Sequence, residues 1–229
     1  MKKSYVDFYR DGIAEISLKN TKQLDEVLKE ILDNKIKNKD YFLKSKYPKT
    51  QDFRPDVINY DSVFMDILKE NNIKEKIRSI SLRDMSLFHI QVRVVEDENS
   101  YMNWHRDTYY SLSGDPVGKT PAGLKIIYYP QLEDSERDRL LYLIGSNRII
   151  FPNNGYDNQL FNILKVKKIS TSSDKAILFD TCGMHAVCPE MKGEKSIRLI
   201  YNFLSREQII DDHYEDSLHM QTMRAFEEI

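Results

Sequence analysis

The sequence has little that would suit an oxidising compartment or a membrane. Its two cysteines, Cys182 and Cys188, lie in one short segment and are too few for a disulfide scaffold. No apolar run is long enough to span a membrane, and the N-terminal MKKSYVDFYRDGIAEI lacks the apolar segment of a secretory signal. We therefore expect a soluble, cytoplasmic protein without a membrane partner.

An excess of charge of one sign is also missing. The formal net charge is −2, and the lysines and arginines are spread along the chain rather than gathered in a tract. This distribution argues against nucleic acid as a partner. A hydrophobic content of 41%, with 11% aromatic residues, is sufficient for a substantial core. Without internal repeats or a linker rich in Pro, Gly and Ser, residues 1–229 are predicted to form a single domain.

Three zones of different periodicity follow one another along this domain. Residues 1–85 are predicted to be a helical N-terminal part, because TKQLDEVLKEILDNKI and DSVFMDILKENNIKEKIRSI repeat apolar residues at helical spacing. The polar segment between them, KSKYPKTQDFRPD, contains two prolines and is predicted to be a loop. Residues 206–229 return to a helical pattern, which indicates a C-terminal helix packed against a sheet.

The middle zone, residues 86–205, has the pattern of short strands. Runs of β-branched and aromatic residues, such as LFHIQVRVV, RIIFP, KAILFD and SIRLIYNFL, alternate with turn-forming segments such as PNNGYDN and PEMKGEK. About eight strands at this spacing, without helices between them, predict a sandwich or barrel of antiparallel strands. The predicted fold class is therefore mainly β, with flanking α-helices at the N- and C-termini.

The motif YMNWHRDTYY places a histidine and an aspartate two residues apart. In an extended strand His105 and Asp107 would lie on one face, where they provide two ligands for a metal ion. The third ligand is expected from another strand, and His185 in LFDTCGMHAVCPE is the candidate. Two histidines and one carboxylate form the facial triad of non-haem Fe(II) enzymes, although zinc accepts the same ligands. Cys182 and Cys188 would face away from His185 on a strand, so we expect buried thiols rather than ligands.

An arginine in an otherwise apolar strand adds a second signal. Arg198 lies within SIRLIYNFL, downstream of His185. A guanidinium in such a place needs a partner, and its planar fork matches a carboxylate. Solvent or a protein carboxylate could be that partner. Next to a possible metal site, the carboxylate of a cosubstrate is the favoured interpretation.

The order of these residues resembles that of the Fe(II)/2-oxoglutarate-dependent dioxygenases, in which His-x-Asp is followed by a distant histidine and then an arginine. Two stretches are similar to the phytanoyl-CoA dioxygenase-like branch of that family. HIQVRVVEDENSYMNWHRD resembles its glutamine-containing strand followed by Trp-His-x-Asp. LLYLIGSNR resembles its Pro-Gly-Ser-His turn, with Ile144 and Asn147 in place of the proline and the histidine. The resemblance covers residues 87–203.

The resemblance implies a double-stranded β-helix (jelly roll) with helices packed on the larger sheet. It implies the following roles: ligation of Fe(II) by His105, Asp107 and His185, and binding of the cosubstrate 2-oxoglutarate by Arg198 and Gln91. The activity it implies is that of a dioxygenase that uses O2 to hydroxylate a small-molecule substrate, with release of succinate and CO2.

The strand HIQVRVV provides separate support for residues that face the interior. Its apolar residues alternate with His89, Gln91 and Arg93, so the polar set would face into the barrel if the apolar set packs under the helices. A strand facing solvent would show the same alternation. A buried guanidinium without a protein partner would bind a ligand, so Arg93 is a candidate substrate-binding residue, as is Tyr109 in the loop after His-x-Asp.

Two other classes of protein fit part of this pattern. A cupin-like metal-dependent isomerase or lyase could use the same three ligands without 2-oxoglutarate, and it would not need an anchor such as Arg198. A binding module could keep the jelly roll without a metal, although the intact ligand set argues against this.

Overall fold

Short helices and strands alternate in the first part of the chain and give way to a longer run of strands. The computed structural model describes residues 3–34, 42–44, 50–53, 57–81, 85–96, 103–107, 109–110, 116–117, 123–130, 138–149, 154–170, 174–188, 195–205 and 217–229. The helices are α1 (Lys3–Asp11), α2 (Lys22–Asn34), α3 (Val57–Tyr60), α4 (Val63–Glu70), α5 (Ile73–Ser81) and α6 (Ser217–Glu227). The strands are β1 (Ile13–Ser17), β2 (Phe42–Lys44), β3 (Thr50–Phe53), β4 (Met85–Glu96), β5 (Tyr109–Tyr110), β6 (Pro116–Val117), β7 (Gly123–Tyr128), β8 (Asp138–Leu143), β9 (Val166–Ser170), β10 (Lys175–Asp180), β11 (His185–Val187) and β12 (Lys195–Ser205).

Two antiparallel sheets form the centre of the fold. The larger has seven strands in the order β1-β10-β7-β12-β4-β3-β2, and the smaller has three in the order β11-β8-β9. Strands β5 and β6 form a separate pair. Neighbouring strands are mostly not consecutive in the chain, which is the topology of a jelly roll. The predicted fold class, mainly β with flanking helices, is confirmed.

The larger sheet has an apolar layer on each face. Alternate residues of β4, β7, β10 and β12 pack against the helices and form a helix-side core. The opposite face packs on the smaller sheet and forms an interior core, whose buried residues are Ile13, Ile127, Tyr129, Leu140, Tyr142, Ile169, Ile177, Phe179, Val187 and Ile200. The position of a residue along its strand therefore decides whether its side chain faces the helices or the interior.

Strand β4 has the register that its alternation predicted. Its residues in the helix-side core include Ile90, Val92 and Val94. Gln91 and Arg93 lie directly opposite Ile200 and Arg198 of β12. Ile200 belongs to the interior core, and residues directly opposite each other share a face, so Gln91 and Arg93 are on the interior face.

The N-terminal part contains strands that were not predicted. Strands β1, β2 and β3 extend the larger sheet, β1 at one edge and β3 with β2 at the other. Strand β3 falls in the segment KSKYPKTQDFRPD, which was predicted to be a loop. These strands have three to five residues. They owe their structure to pairing of β1 with β10, of β3 with β4 and of β2 with β3, and pairing of this kind leaves little local pattern.

Two of the predicted helices are confirmed in outline, and one is divided. The segment DSVFMDILKENNIKEKIRSI forms α4 and α5, because Asn72 has a φ of 50°, in the left-handed region that asparagine tolerates well. The C-terminal helix α6 packs on the helix side of the sheet, where the ring of Phe226 lies 5.5 Å from that of Phe203. None of the described helices has the length and apolar composition that crossing a bilayer would require.

Asp25 of α2 directs its carboxyl group towards β7 at the edge of the helix-side core. The hydroxyl of Tyr128 in β7 donates to Oδ1 of Asp25 at 2.6 Å. Burial raises the pKa of Asp25 from 3.8 to about 6, although the hydrogen bond from Tyr128 acts in the opposite direction. Between these two values the folded protein keeps a proton that the unfolded chain has released.

We expect Asp25→Asn to stabilise the protein relative to the native chain increasingly as the pH rises from about 4 to about 6. The raised pKa of Asp25 contributes stability that is fully present below about pH 4 and is lost as the pH rises through about 6. Asparagine does not ionise, and its oxygen can still accept the bond from Tyr128. Urea unfolding at a series of pH values measures the difference. Asp33→Asn, at an exposed position of the same helix, is the control, and a pH-independent gain for Asp25→Asn would contradict the expectation.

Candidate metal centre

Three side chains converge beside the interior core. One ligand atom from each of His105, Asp107 and His185 lies within 4.8 Å of the others. Nε2 of His105 is 3.8 Å from Oδ1 of Asp107, and Nε2 of His185 is 3.7 Å from Oδ2. The two histidine–aspartate separations, 3.8 and 3.7 Å, can be bridged by a single ion about 2.0–2.2 Å from each atom. Within the described part of the chain this group contains neither Cys182, which is buried, nor Cys188.

The His-x-Asp segment is not the extended strand that was predicted. His105 forms an isolated antiparallel bridge with His185, in which each backbone N–H donates to the carbonyl of the other, at 3.0 and 2.9 Å. The N–H of Asp107 donates to the carbonyl of Thr181 at 3.1 Å. The ligands therefore converge because the two segments pair with each other, and not because of alternation along a strand.

Backbone carbonyls fix the orientation of both imidazoles. Nδ1 of His105 lies 2.6 Å from the carbonyl oxygen of Asn103, and Nδ1 of His185 lies 2.9 Å from that of Gly183. A carbonyl only accepts, so each neutral ring carries its proton on Nδ1 and presents a lone pair at Nε2. Nε2 of His105 is buried and has no hydrogen-bond partner among the described residues. This is the arrangement that a metal ligand requires.

Lys125 of β7 brings a positive charge to the site. Its Nζ donates to Oδ2 of Asp107 at 2.8 Å. Burial by itself would raise the pKa of Asp107, but Lys125 and the two imidazoles outweigh burial and lower it to about 2. Burial lowers the pKa of His185 to about 4, despite the opposite effect of Asp107. Near pH 7 the site therefore offers a carboxylate and a neutral imidazole, the forms that bind metal.

The turn after β8 supports the segment that carries His185. Gly145 has a φ of 81°, a conformation open to glycine without steric cost. The hydroxyl of Ser146 donates to the carbonyl of Leu143 at 2.6 Å and accepts from the N–H of Met184 at 2.8 Å. The Gly-Ser turn, which was identified by resemblance, thus has a physical role, because it holds the residue next to a ligand.

Arg106, between two of the ligands, joins three segments. Its side chain is only 4% exposed, and its Nε donates to Oδ1 of Asp157 at 3.0 Å. Its Nη1 donates to the carbonyls of Ser146, at 2.8 Å, and of Cys182. Asp157 belongs to a segment that was predicted to be a turn and instead forms the 3-10 helix Asn154–Asn162. No local sequence pattern indicates this pair, because its members are close only in the fold.

Arg198 lies on the interior face of β12, and Gln91, which was predicted to bind the cosubstrate, is on the neighbouring strand. Arg198 is 1% exposed, and the carbon of its guanidinium lies 5.3 Å from the ring centroid of Tyr129. Lys125, beside the ligands, is opposite Asn202 of the same strand, β12. Asn202 lies four positions after Arg198, which corresponds to about 13 Å along a strand. The interior face of β12 therefore runs from the candidate metal centre to the buried arginine.

Arg93 and Tyr109 were predicted to bind substrate, and the structure describes the side chain of Arg93 alone. Arg93 forms a two-bond ion pair with Asp52 of β3, with Nε–Oδ1 and Nη2–Oδ2 distances of 2.7 and 3.1 Å. It therefore has a protein carboxylate as its partner, contrary to the premise on which its role was predicted. The backbone of Tyr109 is in β5, but its side chain lies outside the described residues. The roles of both residues in substrate binding stay predictions.

Solved structures of similar fold include enzymes that bind a metal and 2-oxoglutarate. HygX from Streptomyces hygroscopicus, solved with nickel and 2-oxoglutarate bound, has a TM-score of 0.65 at 12% identity, over 90% of this chain and 88% of HygX. SnoN, a non-haem α-ketoglutarate-dependent epimerase from nogalamycin biosynthesis, has a TM-score of 0.63 at 12% identity, over 89% and 81%. EctD from S. alaskensis, with bound Fe, has a TM-score of 0.62 at 13% identity, over 90% and 76%. No family model and no curated protein sequence matches the chain. The predicted jelly-roll fold is confirmed.

We expect removal of one member of the Arg106–Asp157 pair to destabilise the protein more than removal of both. Arg106→Met and Asp157→Leu each leave a buried charge without its counter-charge, which typically costs about 3–5 kcal/mol. The double variant leaves neither charge and should recover part of this loss. Urea unfolding of the four proteins measures the coupling, and strictly additive losses would contradict it.

Proposed function

We propose that this chain is an Fe(II)- and 2-oxoglutarate-dependent dioxygenase. The observation that carries the proposal is the convergence of His105, Asp107 and His185, with the Nδ1 atom of each histidine held by a carbonyl and Nε2 left for a metal. Two imidazoles and one carboxylate on one face of an ion leave three positions open. A structural zinc site usually closes with a fourth protein ligand, and the ligand group among the described residues has three.

The residues of the chain position and shield the reacting groups. Bound Fe(II), with 2-oxoglutarate and O2, would supply the oxidation of a carbon–hydrogen bond, with release of succinate and CO2. His105 and His185 are held in one orientation by carbonyls, and Asp107 by its backbone bond to Thr181. Phe179 lies against the ring of His185, with 4.8 Å between ring centroids, and keeps water away from that side.

The polarity of the interior face matches the structure of 2-oxoglutarate. Lys125 lies near the ligands, the opposed pair Ile127 and Ile200 follows, and Arg198 comes next along β12. 2-Oxoglutarate has the same order, with a 2-oxo acid that can chelate a metal, two methylene groups and a distant carboxylate. We assign the distant carboxylate to Arg198, whose fork suits bidentate binding, and a place beside the cosubstrate to Gln91.

This match favours the dioxygenase over a cupin-like isomerase or lyase. An enzyme without 2-oxoglutarate has no use for an apolar stretch that ends at a buried guanidinium. Hydroxylation of a small molecule is the outcome that we propose. HygX has been solved with hygromycin B bound, whereas SnoN is described as an epimerase. Incorporation of isotopically labelled oxygen from O2 into the product would establish hydroxylation, and its absence from an altered product would exclude it.

The first prediction of the proposal concerns the metal. We expect His105→Ala and Asp107→Ala to lower Fe(II) affinity about 100-fold or more, because loss of an outer-shell partner alone costs about 10–100-fold. Formation of succinate from 2-oxoglutarate should cease. The unfolding free energy should change little in His105→Ala, because the two apolar cores supply most of the stability, and should fall in Asp107→Ala, because Lys125 loses its counter-charge. Anaerobic calorimetry and succinate analysis provide the measurements. Asp33→Ala, at an exposed position of α2, is the control, and equal Fe(II) binding by all three variants would refute the assignment.

The second prediction concerns Arg198. Arg198→Lys keeps the charge but loses the fork, so binding of 2-oxoglutarate should weaken by about 1–3 kcal/mol. Metal affinity should stay close to that of the native chain. The Kd for 2-oxoglutarate is measured on the anaerobic Fe(II) protein, with Arg78→Lys, at an exposed position of α5, as the control. Equal weakening of metal and 2-oxoglutarate binding would mean that Arg198 serves the fold.

A further inference from the structure

Lys125 occupies an unusual place for a lysine. It lies opposite Phe179 of the interior core and two residues before Ile127, so its side chain shares the interior face with them. The side chain is 18% exposed, and that of Asp107, its partner at 2.8 Å, is 10% exposed. A charge withdrawn from water to this extent is costly unless it is paired. Lys125 and Asp107 therefore depend on each other for their charges to be stable in this site.

The ammonium group and a metal ion would compete for one carboxylate. Oδ2 of Asp107 is 2.8 Å from Nζ of Lys125 and 3.7 Å from Nε2 of His185, whereas Oδ1 faces His105 at 3.8 Å. A metal among the three ligand atoms must therefore share Asp107 with Lys125. Without a metal, Lys125 balances a carboxylate that would otherwise be a buried charge without a counter-ion.

We propose that Lys125 is the counter-ion of Asp107 in the metal-free site, where it competes with the metal, and that its charge then strengthens binding of the dianionic cosubstrate. This inference rests on the function proposed above. The divalent ion, Asp107 and Lys125 together carry a net charge of +2. The ion and Asp107 without Lys125 carry a net charge of +1. The same charge opposes a cation and attracts an anion at these short distances.

Lys125 is proposed to weaken metal binding and to strengthen 2-oxoglutarate binding. These opposite effects distinguish a counter-ion from a residue with a purely structural role. A lysine that only held Asp107 in position would, when removed, weaken the binding of both metal and 2-oxoglutarate, as loss of an outer-shell partner usually does. A counter-ion that competes with the metal would, when removed, strengthen metal binding and weaken 2-oxoglutarate binding. The metal-free protein would also lose stability, because Asp107 would remain buried without its cation.

The test uses Mn²⁺ as a redox-stable probe and compares Lys125→Met with the native chain. Lys125→Gln is a second neutral variant that keeps a hydrogen-bond donor. Lys168→Met removes the charge of an exposed lysine, 69% exposed and paired with Asp138, and is the matched control. Calorimetry gives the Kd for Mn²⁺ and, at saturating Mn²⁺, the Kd for 2-oxoglutarate. Thermal unfolding gives the Tm with and without Mn²⁺.

We expect both neutral variants to bind Mn²⁺ about tenfold more tightly and 2-oxoglutarate about tenfold more weakly than the native chain. Their metal-free Tm should be lower, and the rise in Tm on adding Mn²⁺ should be larger. Lys168→Met should match the native chain in all of these measurements.

The contrary outcomes are distinguishable. If both neutral variants lose Mn²⁺ affinity, Lys125 only positions Asp107 and the counter-ion role is wrong, while the proposed function stands. Unchanged affinities in both variants would overturn the role in the same way. If the native chain itself binds neither Mn²⁺ nor Fe(II), the proposed function fails, and this inference fails with it.

Discussion

The backbone bridge between His105 and His185 is the interaction on which the candidate centre depends. Two N–H···O bonds of 3.0 and 2.9 Å join a loop segment to the start of β11, and the two imidazole rings come within 4.3 Å of each other, centroid to centroid. Each bond contributes only about 0.5–1.5 kcal/mol. The bridge is reinforced because Ser146 holds the segment of His185 and Arg106 ties the segment of His105 to the same turn.

The three residues of the candidate metal centre could be named from the sequence because they depend on residue types and on their order, and the structure brings their side chains together. The fold class followed from strand periodicity, and the register of β4 from its alternation. The features that were not predicted from the sequence depend on tertiary contacts. The sequence does not show that β1 pairs with β10, that Arg106 meets Asp157, or that Lys125 reaches Asp107. The strand predicted through His105 also failed, because one isolated bridge replaces a ladder there.

An ion pair on the interior face offsets the repulsion between two arginines. Arg93 and Arg198 lie directly opposite each other on neighbouring strands, a juxtaposition of like charges that is destabilising by itself. Asp52 binds Arg93 through two hydrogen bonds and so removes much of the repulsion that Arg198 would meet. The structure thus gives Arg93 a role in the electrostatics around Arg198, whether or not it contacts a substrate.

The two apolar faces of the larger sheet limit how this protein can vary in length. Strand β12 lies between β7 and β4, with Leu199 in the helix-side core and Ile200 in the interior core. Insertion or deletion of one residue in β12 would turn every following side chain to the opposite face of the sheet. A change before Arg198 would therefore move it from the interior to the helix side. A substitution in β12 leaves this alternation of faces intact, whereas insertion or deletion of a single codon would remove the packing and the candidate cosubstrate anchor together.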